Sequence, residues 1–278
     1  MNRHELFQSL HLSPGILVAP NPWDAGSAKV LTHLGFKALA TTSAGLAYML
    51  GKADGQGAVT KDQTLQNAKS IVDATHLPVS CDLENGYGDD PENCAATIQL
   101  AASIGLSGGS IEDATGNPAN PIYPFDLAVA RVKAAVATAR GLPEPFTLTA
   151  RAENFVHGRP DLKDTIKRLV AFADAGADVL FAPGLTTKEE VEAVVKAVAP
   201  RAVNVVMGLS GGNFSLKMLE DLGVKRVSLG SSLSRAAYTA LIAAAKEVLV
   251  DGTFNYAVNA IPYGQLNDFF NATPGTDL

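Results

Sequence analysis

The chain predicts an α/β fold, a (β/α)₈ TIM-type barrel, on three observations. Eight short apolar runs rich in β-formers alternate with segments of helical patterning along the 278 residues. Parallel neighbours need a crossover, usually a helix, so this alternation builds a parallel sheet. No linker or composition break divides the units, and the length suits the roughly 250 residues of one such barrel. A doubly wound sheet is the alternative, but no GxGxxG follows the first run.

The runs are taken in order. Ile16–Pro20 precedes a helix over Asp24–Leu34, and Ala38–Thr42 runs into the small-residue turn Thr41-Thr42-Ser43-Ala44-Gly45, with a helix at Lys61–Ala74. Pro78–Leu83, Gly108–Glu112 and Phe146–Ala150 lead to helices at Pro91–Ile104, Phe125–Arg140 and Leu162–Ala175. Asp178–Ala182, Val203–Met207 and Arg226–Leu229 lead to Lys188–Ala199, Ser215–Leu222 and Leu233–Val250. Gly35, Gly105, Gly141, Gly176 and Gly223 stand where a helix C′ residue is expected. Pro91 suits a helix start and Thr187 an N-cap. Residues 1–250 form the barrel domain. Residues 251–278 form a C-terminal extension whose Phe254, Tyr256, Ile261, Tyr263, Phe269 and Phe270 need an apolar surface, on the barrel or on a neighbouring subunit.

Composition narrows the function classes. The net charge of −6 and the lack of a Lys/Arg cluster argue against nucleic acid and anionic membranes as partners. No apolar run is long enough to span a bilayer, and MNRHELFQSL lacks the apolar core of a signal peptide. Cys81 and Cys94 make no disulfide framework, and the chain reads as cytoplasmic. Cys81 is expected in the core, facing away from its acidic neighbours.

Catalytic groups of a barrel gather at the C-terminal strand ends. The third run ends in DLENGYG (82–88), which sets Asp82 and Glu84 two apart, and since strand side chains alternate faces both acids are expected to project together from the strand end. Two adjacent like charges need a cation or a shared proton. The fourth run ends in Glu112-Asp113 and the fifth in Arg151-Ala152-Glu153-Asn154. Converging acids with one Arg describe a hard-cation site that also binds an anion. Backbone N–H groups at Ser43, Ala44 and Gly45 could hold a carboxylate. Gly230-Ser231-Ser232 reads as a helix start with a serine cap or as a phosphate cradle, and Trp23 as a pocket wall or a core residue. No Lys stands at a strand end, which argues against Schiff-base chemistry. His157 is the one histidine within reach of the site, and a surface loop is its plainer reading.

These stretches together resemble the isocitrate lyase/phosphoenolpyruvate mutase superfamily. The similarity runs from Leu17 to Ala237 through PNPWDAGSA (20–28), TTSAGLA (41–47), LGKADG (50–55), DLENGYG (82–88), IEDATG (111–116), TARAENF (149–155) and GVKRVSLGSSLSRAA (223–237). The resemblance implies a modified barrel, Mg²⁺ dependence with Mn²⁺ as a substitute, and a small 2-oxo acid or dicarboxylate as substrate. It implies a homotetramer, or a homodimer, in which subunits exchange a C-terminal helix. Matched by motif, Asp82 would ligate the metal while Glu84 and Glu112 hold its waters. Ser43, Ala44 and Gly45 would grip the substrate. Asp54 would stand beside the metal, and Arg151 would neutralise the substrate carboxylate or a developing enolate.

One segment departs from the pattern. Lyases of isocitrate and methylisocitrate carry Lys-Arg/Lys-Cys-Gly-His after the IED motif; here ATGNPANPIYPF (114–125) has no Cys, His or Lys. Asn117 and Asn120 partly match the gating loop of the phosphonate branch, and Asn120 is the substrate-binding candidate there. Pro, Gly and Asn suit this segment to a mobile lid. The resulting expectation is a Mg²⁺-dependent lyase or decarboxylase of an oxaloacetate-like 2-oxo acid, acting through a metal-stabilised enolate. The alternatives are C–P chemistry of the phosphonopyruvate hydrolase or phosphoenolpyruvate mutase type, a non-catalytic 2-oxo acid binding homologue, and a phosphate-binding isomerase. Specificity is expected from the lid and from residues near Trp23, Tyr48 and Phe155.

Overall fold

The computed structural model describes residues 1–208 and 212–272, so the final six residues of the predicted extension lie outside the described residues. In chain order the elements are α1 (Arg3–Leu12), β1 (Leu17–Ala19), α2 (Ala25–His33), β2 (Leu39–Ala40), α3 (Ser43–Met49), α4 (Lys61–Asp73) and β3 (Val79–Asp82). They continue with α5 (Pro91–Ser103), β4 (Gly108–Glu112), α6 (Phe125–Gly141), β5 (Thr147–Arg151), α7 (Leu162–Asp174), β6 (Val179–Phe181) and α8 (Lys188–Val198). The last are β7 (Ala202–Val206), α9 (Leu216–Asp221), β8 (Arg226–Ser228), α10 (Ser232–Lys246) and α11 (Tyr263–Asn271).

Each β-strand falls on one of the eight expected runs. All pair in parallel, in the order β1-β8-β7-β6-β5-β4-β3-β2. Across the remaining seam the Ala40 N–H donates to the Pro20 carbonyl at 3.0 Å. The product is a nearly closed (β/α)₈ barrel, which sends every strand end to one face. Its helices bury one stripe each. On α7 the inward stripe is Thr165, Arg168, Leu169 and Phe172, the spacing of a 3.6-residue period. Burying Leu169 and Phe172 contributes about 1.5–3 kcal/mol apiece.

Two helices stand where none was expected. Asn2 starts α1 by accepting from the His4 and Glu5 N–H groups, and Glu5 accepts from the Asn2 N–H in return, a capping box. Phe7 is fully buried from α1, against Gly108, where an added Cβ would lie 2.9 Å from its ring. This helix therefore covers the base of the barrel. The second is α3: the predicted turn at 43–45 is its first turn, capped by Thr42. Gly35, Gly105, Gly176 and Gly223 take the positive φ of C′ residues, whereas Gly141 is the last residue of α6.

The eighth helix behaves differently from the others. In α10 only Ser234 is buried, and Leu241 and Ile242 are exposed. Gly252, in the left-handed region, follows the helix, and α11 returns to α2, where Phe269 stacks 4.5 Å from His33. Between them Leu249, Val250, Phe254, Val258 and Ile261 lie open to solvent. No described helix is long and apolar enough to cross a membrane.

At the barrel base His11 Nδ1 is 2.8 Å from the Phe7 carbonyl, and Nε2 is 3.4 Å from Arg226 Nη1. Burial, reinforced by the Arg226 charge, lowers His11 to about 3 from its ordinary 6.5. The folded state thus holds a neutral imidazole that the unfolded chain protonates below 6.5. Its contribution is present above pH 6.5 and is lost as pH falls toward 3. The His11→Gln variant is expected to lose about 2–3 kcal/mol less than the parent between pH 7.5 and 4.5, measured by urea unfolding at both pH values. Equal losses would contradict the burial of a neutral His11.

Candidate active site

The C-terminal strand ends surround a cavity of about 680 Å³ whose walls include Asp54, Asp82, Glu84, Glu112, Arg151 and Glu153. Register explains part of this convergence. Glu112 pairs with Arg151 across β4 and β5, and Asp82 pairs with Ser110, two residues before Glu112 on β4, so the three side chains share one face of the sheet with Asp82 one step below the other two. The Arg151 guanidinium sits at their centre. Its Nη1 donates to Asp82 Oδ1 at 2.9 Å, its Nε to Glu153 Oε1 at 2.8 Å, and its Nη2 lies 3.2 Å from Glu112 Oε2. Phe181 backs the guanidinium, with its ring centroid 5.1 Å away.

Asp82 and Glu84 do line one cavity, but strand alternation is not the cause. The strand stops at Asp82, and Glu84 takes a left-handed conformation with φ +47°. The chain therefore turns sharply and returns the carboxylate to the cavity, where the Tyr87 hydroxyl stands 3.5 Å from Glu84 Oε1. Tyr87 is left-handed too, and Gly86 and Gly88 flank it for steric reasons. A Cβ on Gly86 would lie 3.0 Å from Cys94 Sγ, and one on Gly88 2.4 Å from the Asn93 side chain.

The electrostatics follow from crowding. Burial, with help from Asp82 and Asp54, pushes Glu84 up to about 7. Burial raises Glu112 well above its ordinary value as well, with Arg151 opposing and the other acids reinforcing. Asp54, at the rim of the cavity, is raised by loss of water and by the field of Asp82. The Glu112-Asp113 pair divides its work: Glu112 faces the cavity, while Asp113 binds Arg168 at 3.0 Å and accepts from the Glu153 N–H. Asp113 is thus a strut under β5. Cys81 is a buried core thiol, as expected, and burial pushes it up to about 12.

The other expected residues divide as well. Ser43 and Ala44 line the cavity, and the Ser43 N–H approaches Asp82 Oδ2 at 3.4 Å. The Gly45 N–H is already committed to Thr42 Oγ1 at 3.1 Å, and Gly45 packs against Trp23. Neither Trp23 nor Asn120 lines the cavity. Trp23 supports α3 from behind and accepts from Asn67. Asn120 lies at the tip of a short lid hairpin, where Ala114 bridges Ile122 and the Asn120 carbonyl accepts from Thr115. From this lid Thr115 and Gly116 reach the cavity wall, and His157 lines its mouth.

Further residues complete the site. Glu153, one of the strand-end acids to which the sequence assigns no separate role, is the third acid on Arg151. The cavity floor holds Arg226, bound to Asn204 Oδ1 at 2.8 Å and Thr149 Oγ1 at 2.9 Å; burial lowers it to about 10. Asn21 Oδ1 accepts from the Leu229 and Gly230 N–H groups at 2.8 and 3.0 Å, and the Ser232 N–H donates to the Leu229 carbonyl at 3.1 Å, so two of the three amides of a Gly230-Ser231-Ser232 cradle are already bonded.

Removing Arg151 would leave three acids facing one another in low dielectric. Arg151→Met is expected to destabilise the metal-free protein by about 3–5 kcal/mol, measured by urea unfolding at pH 7.5. A loss below about 1 kcal/mol would show that the acids are not charge-coupled through this guanidinium.

The chain is similar to several known proteins. A crystal structure of a Burkholderia cenocepacia J2315 protein, described provisionally as a lyase/mutase, superposes with a TM-score of 0.94 at 54% identity, covering 98% of this chain and 96% of that one. An uncharacterized protein of Mycobacterium tuberculosis is 32% identical over 97% of this chain and 99% of its own length. Oxaloacetate decarboxylase of Bradyrhizobium diazoefficiens is 29% identical over 76% of each chain. The phosphoenolpyruvate phosphomutase family profile matches residues 7–249. The chain belongs to that family, within the isocitrate lyase/phosphoenolpyruvate mutase superfamily.

Proposed function

We propose that this protein is a divalent-cation-dependent lyase that cleaves or decarboxylates a small, oxaloacetate-like 2-oxo acid. The observation that carries the reading is the ring of carboxylates around Arg151. Asp82, Glu112 and Glu153 share one guanidinium, while Glu84 and Asp54 lie beyond it. The ring is short of positive charge and built from hard oxygen donors. Among the described residues no three such side chains form a closed metal cage. An open, water-rich site fits Mg²⁺, with Mn²⁺ as substitute, since Mg²⁺ takes one or two carboxylates and keeps several waters. Asp82 Oδ2 would hold the cation, with Glu84 and Glu112 holding its waters. Bound there, the cation would supply Lewis-acid polarisation of the substrate oxygens.

The chain's own residues supply the rest. The first turn of α3 at Ser43 and Ala44 would orient the substrate carboxylate. Arg151 offsets negative charge as it develops on the substrate oxygen, and its pairing with three acids holds it rigid. Asp54 closes the rim. Decarboxylation suits this site because the lid between Ala114 and Pro124 offers no Cys, His or Lys for the proton transfer that cleavage of an isocitrate-type hydroxyacid needs. The similarity to an oxaloacetate decarboxylase supports the same class. C–P chemistry is the second reading, favoured by the family profile and by Asn117 in the lid. A non-catalytic 2-oxo acid binder is the third. The Asn21 contacts weigh against phosphate capture by Gly230-Ser231-Ser232.

The test is a coupled assay of oxaloacetate, phosphonopyruvate and methylisocitrate with Mg²⁺. Oxaloacetate turnover is expected, abolished by chelation, restored by Mg²⁺ or Mn²⁺, and reduced at least about 100-fold in Asp82→Ala. Turnover that survives chelation would overturn the metal reading, and tight oxalate binding without turnover of any substrate would favour the binder.

The same proposal includes a homodimer or homotetramer in a cytoplasmic setting. Two buried free thiols accord with that setting. The unburied α10 and the apolar stretch after it accord with helix exchange between subunits. Light scattering at micromolar concentration is expected to give a dimer or tetramer mass, and Leu241→Glu with Ile242→Glu to shift it to monomer. A monomeric parent would contradict exchange.

A further inference from the structure

Helix α6 sends one guanidinium beneath the acidic loop. Arg131 is only 1% exposed, and it donates to the carbonyls of Asn85, Gly88 (2.6 Å) and Asp89. Tyr123 covers it, with the ring centroid 4.2 Å from the guanidinium carbon. The Tyr123 hydroxyl in turn donates to Asp89 Oδ1 at 2.6 Å and accepts from Asn85 Nδ2 at 3.2 Å. These contacts run to a loop and to a ring. A buried cation held by carbonyls costs several kcal/mol of hydration, so the arrangement persists only where those carbonyls are fixed inward.

They point inward because of the shape of the loop. Glu84, Gly86 and Tyr87 all lie in the left-handed region, at φ +47°, +77° and +62°. A non-glycine residue there costs roughly 1–2 kcal/mol, so Glu84 and Tyr87 would relax toward ordinary turns without a restraint. That relaxation would withdraw both side chains from the cavity. Thr97 Oγ1, which donates to the Gly86 carbonyl at 2.8 Å, is a lesser restraint on the same turn.

We propose that Arg131 is a positioning residue for the acidic site: from α6 it locks the 85–89 loop and so aims Glu84 and Tyr87 into the cavity. The inference rests on the reading of these carboxylates as a cation site. Tyr123 belongs to the same device, and it connects the end of the lid segment with the DLENGYG loop.

The test uses the 278-residue chain in three variants. Arg131→Lys keeps the charge but cannot reach three carbonyls, and Tyr123→Phe keeps the ring but removes the hydroxyl, which leaves a variant that folds if the first does not. Arg140→Met is the control: it lies on the same helix, and its bonds run to Gly176 and Asp178, away from the site. Two readouts are taken: amide hydrogen exchange of the 84–90 segment without metal, and Mn²⁺ affinity from free Mn²⁺ by EPR. Arg131→Lys is expected to speed exchange in 84–90 at least about tenfold and to weaken Mn²⁺ about 10–100-fold. Tyr123→Phe is expected to move both readouts the same way but less, and Arg140→Met to lower the melting temperature while moving neither. Native exchange in 84–90 together with parental Mn²⁺ affinity in Arg131→Lys and Tyr123→Phe would overturn the proposal. If the parent itself fails to bind Mn²⁺, the cation reading falls, and the exchange data alone decide whether Arg131 sets the loop.

Discussion

The interaction on which the rest of the site depends is the contact of Arg151 with Asp82, Glu112 and Glu153. A lone guanidinium in a cavity mouth would be costly, and three acids without it costlier still. Parallel register makes Glu112 and Arg151 direct partners across β4 and β5 and sets Asp82 one step below them on the same face, while Glu153 follows Arg151 by two residues. The barrel therefore builds a charged site from adjacent strand ends without long loops. The charge is not balanced, because Glu84 and Asp54 add to the acids, and burial, reinforced by Asp82 and Asp54, raises Glu84 to about 7, so its carboxyl keeps part of its proton near neutral pH. A cation binding there would release that proton, so affinity and pH are coupled.

Support for this cluster comes from behind the cavity. Asp113 points away from it and fixes the Glu153 backbone, while Arg168 on α7 fixes Asp113 and the Tyr123 carbonyl. Arg131 holds the loop carrying Glu84 from the other side. Buried arginines on two successive helices thus carry the shape of the mouth, and the lid hairpin between Ala114 and Tyr123 hangs from the same residues. The lid itself contributes Thr115 and Gly116 rather than an acid or base, so the chemistry falls to the strand ends.

Much of this was legible in the sequence. All eight strands were, because a strand buried in a barrel is a short apolar run bounded by helix signals. Helix α1 is hard to read from sequence although Asn2 and Glu5 spell a capping box, since its apolar face is narrow and only Phe7 is buried. Helix α3 reads as a turn because Thr42-Ser43-Ala44-Gly45 is dominated by small residues, and its helicity comes from the Thr42 cap and packing on Trp23. Asp82, Glu112 and Arg151 stood out as strand-end residues. The reason Glu84 joins them did not: a left-handed glutamate is imposed by long-range contacts from Arg131 and by the space around Gly86 and Gly88, which no local pattern records. The gating-loop match points to Asn120 and the end of the first strand to Trp23, but the lid hairpin and α3 place both outside the cavity wall.

If the carboxylate ring around Arg151 binds one divalent cation in the open arrangement that a 2-oxo acid completes, Mn²⁺ titrated into the metal-free protein will report it through water-proton relaxation, with oxalate added as a stand-in for the substrate. One Mn²⁺ per chain is expected, with a relaxation enhancement on binding and a fall in that enhancement when oxalate displaces bound water. No enhancement at millimolar Mn²⁺, or an enhancement that oxalate leaves unchanged, would contradict it.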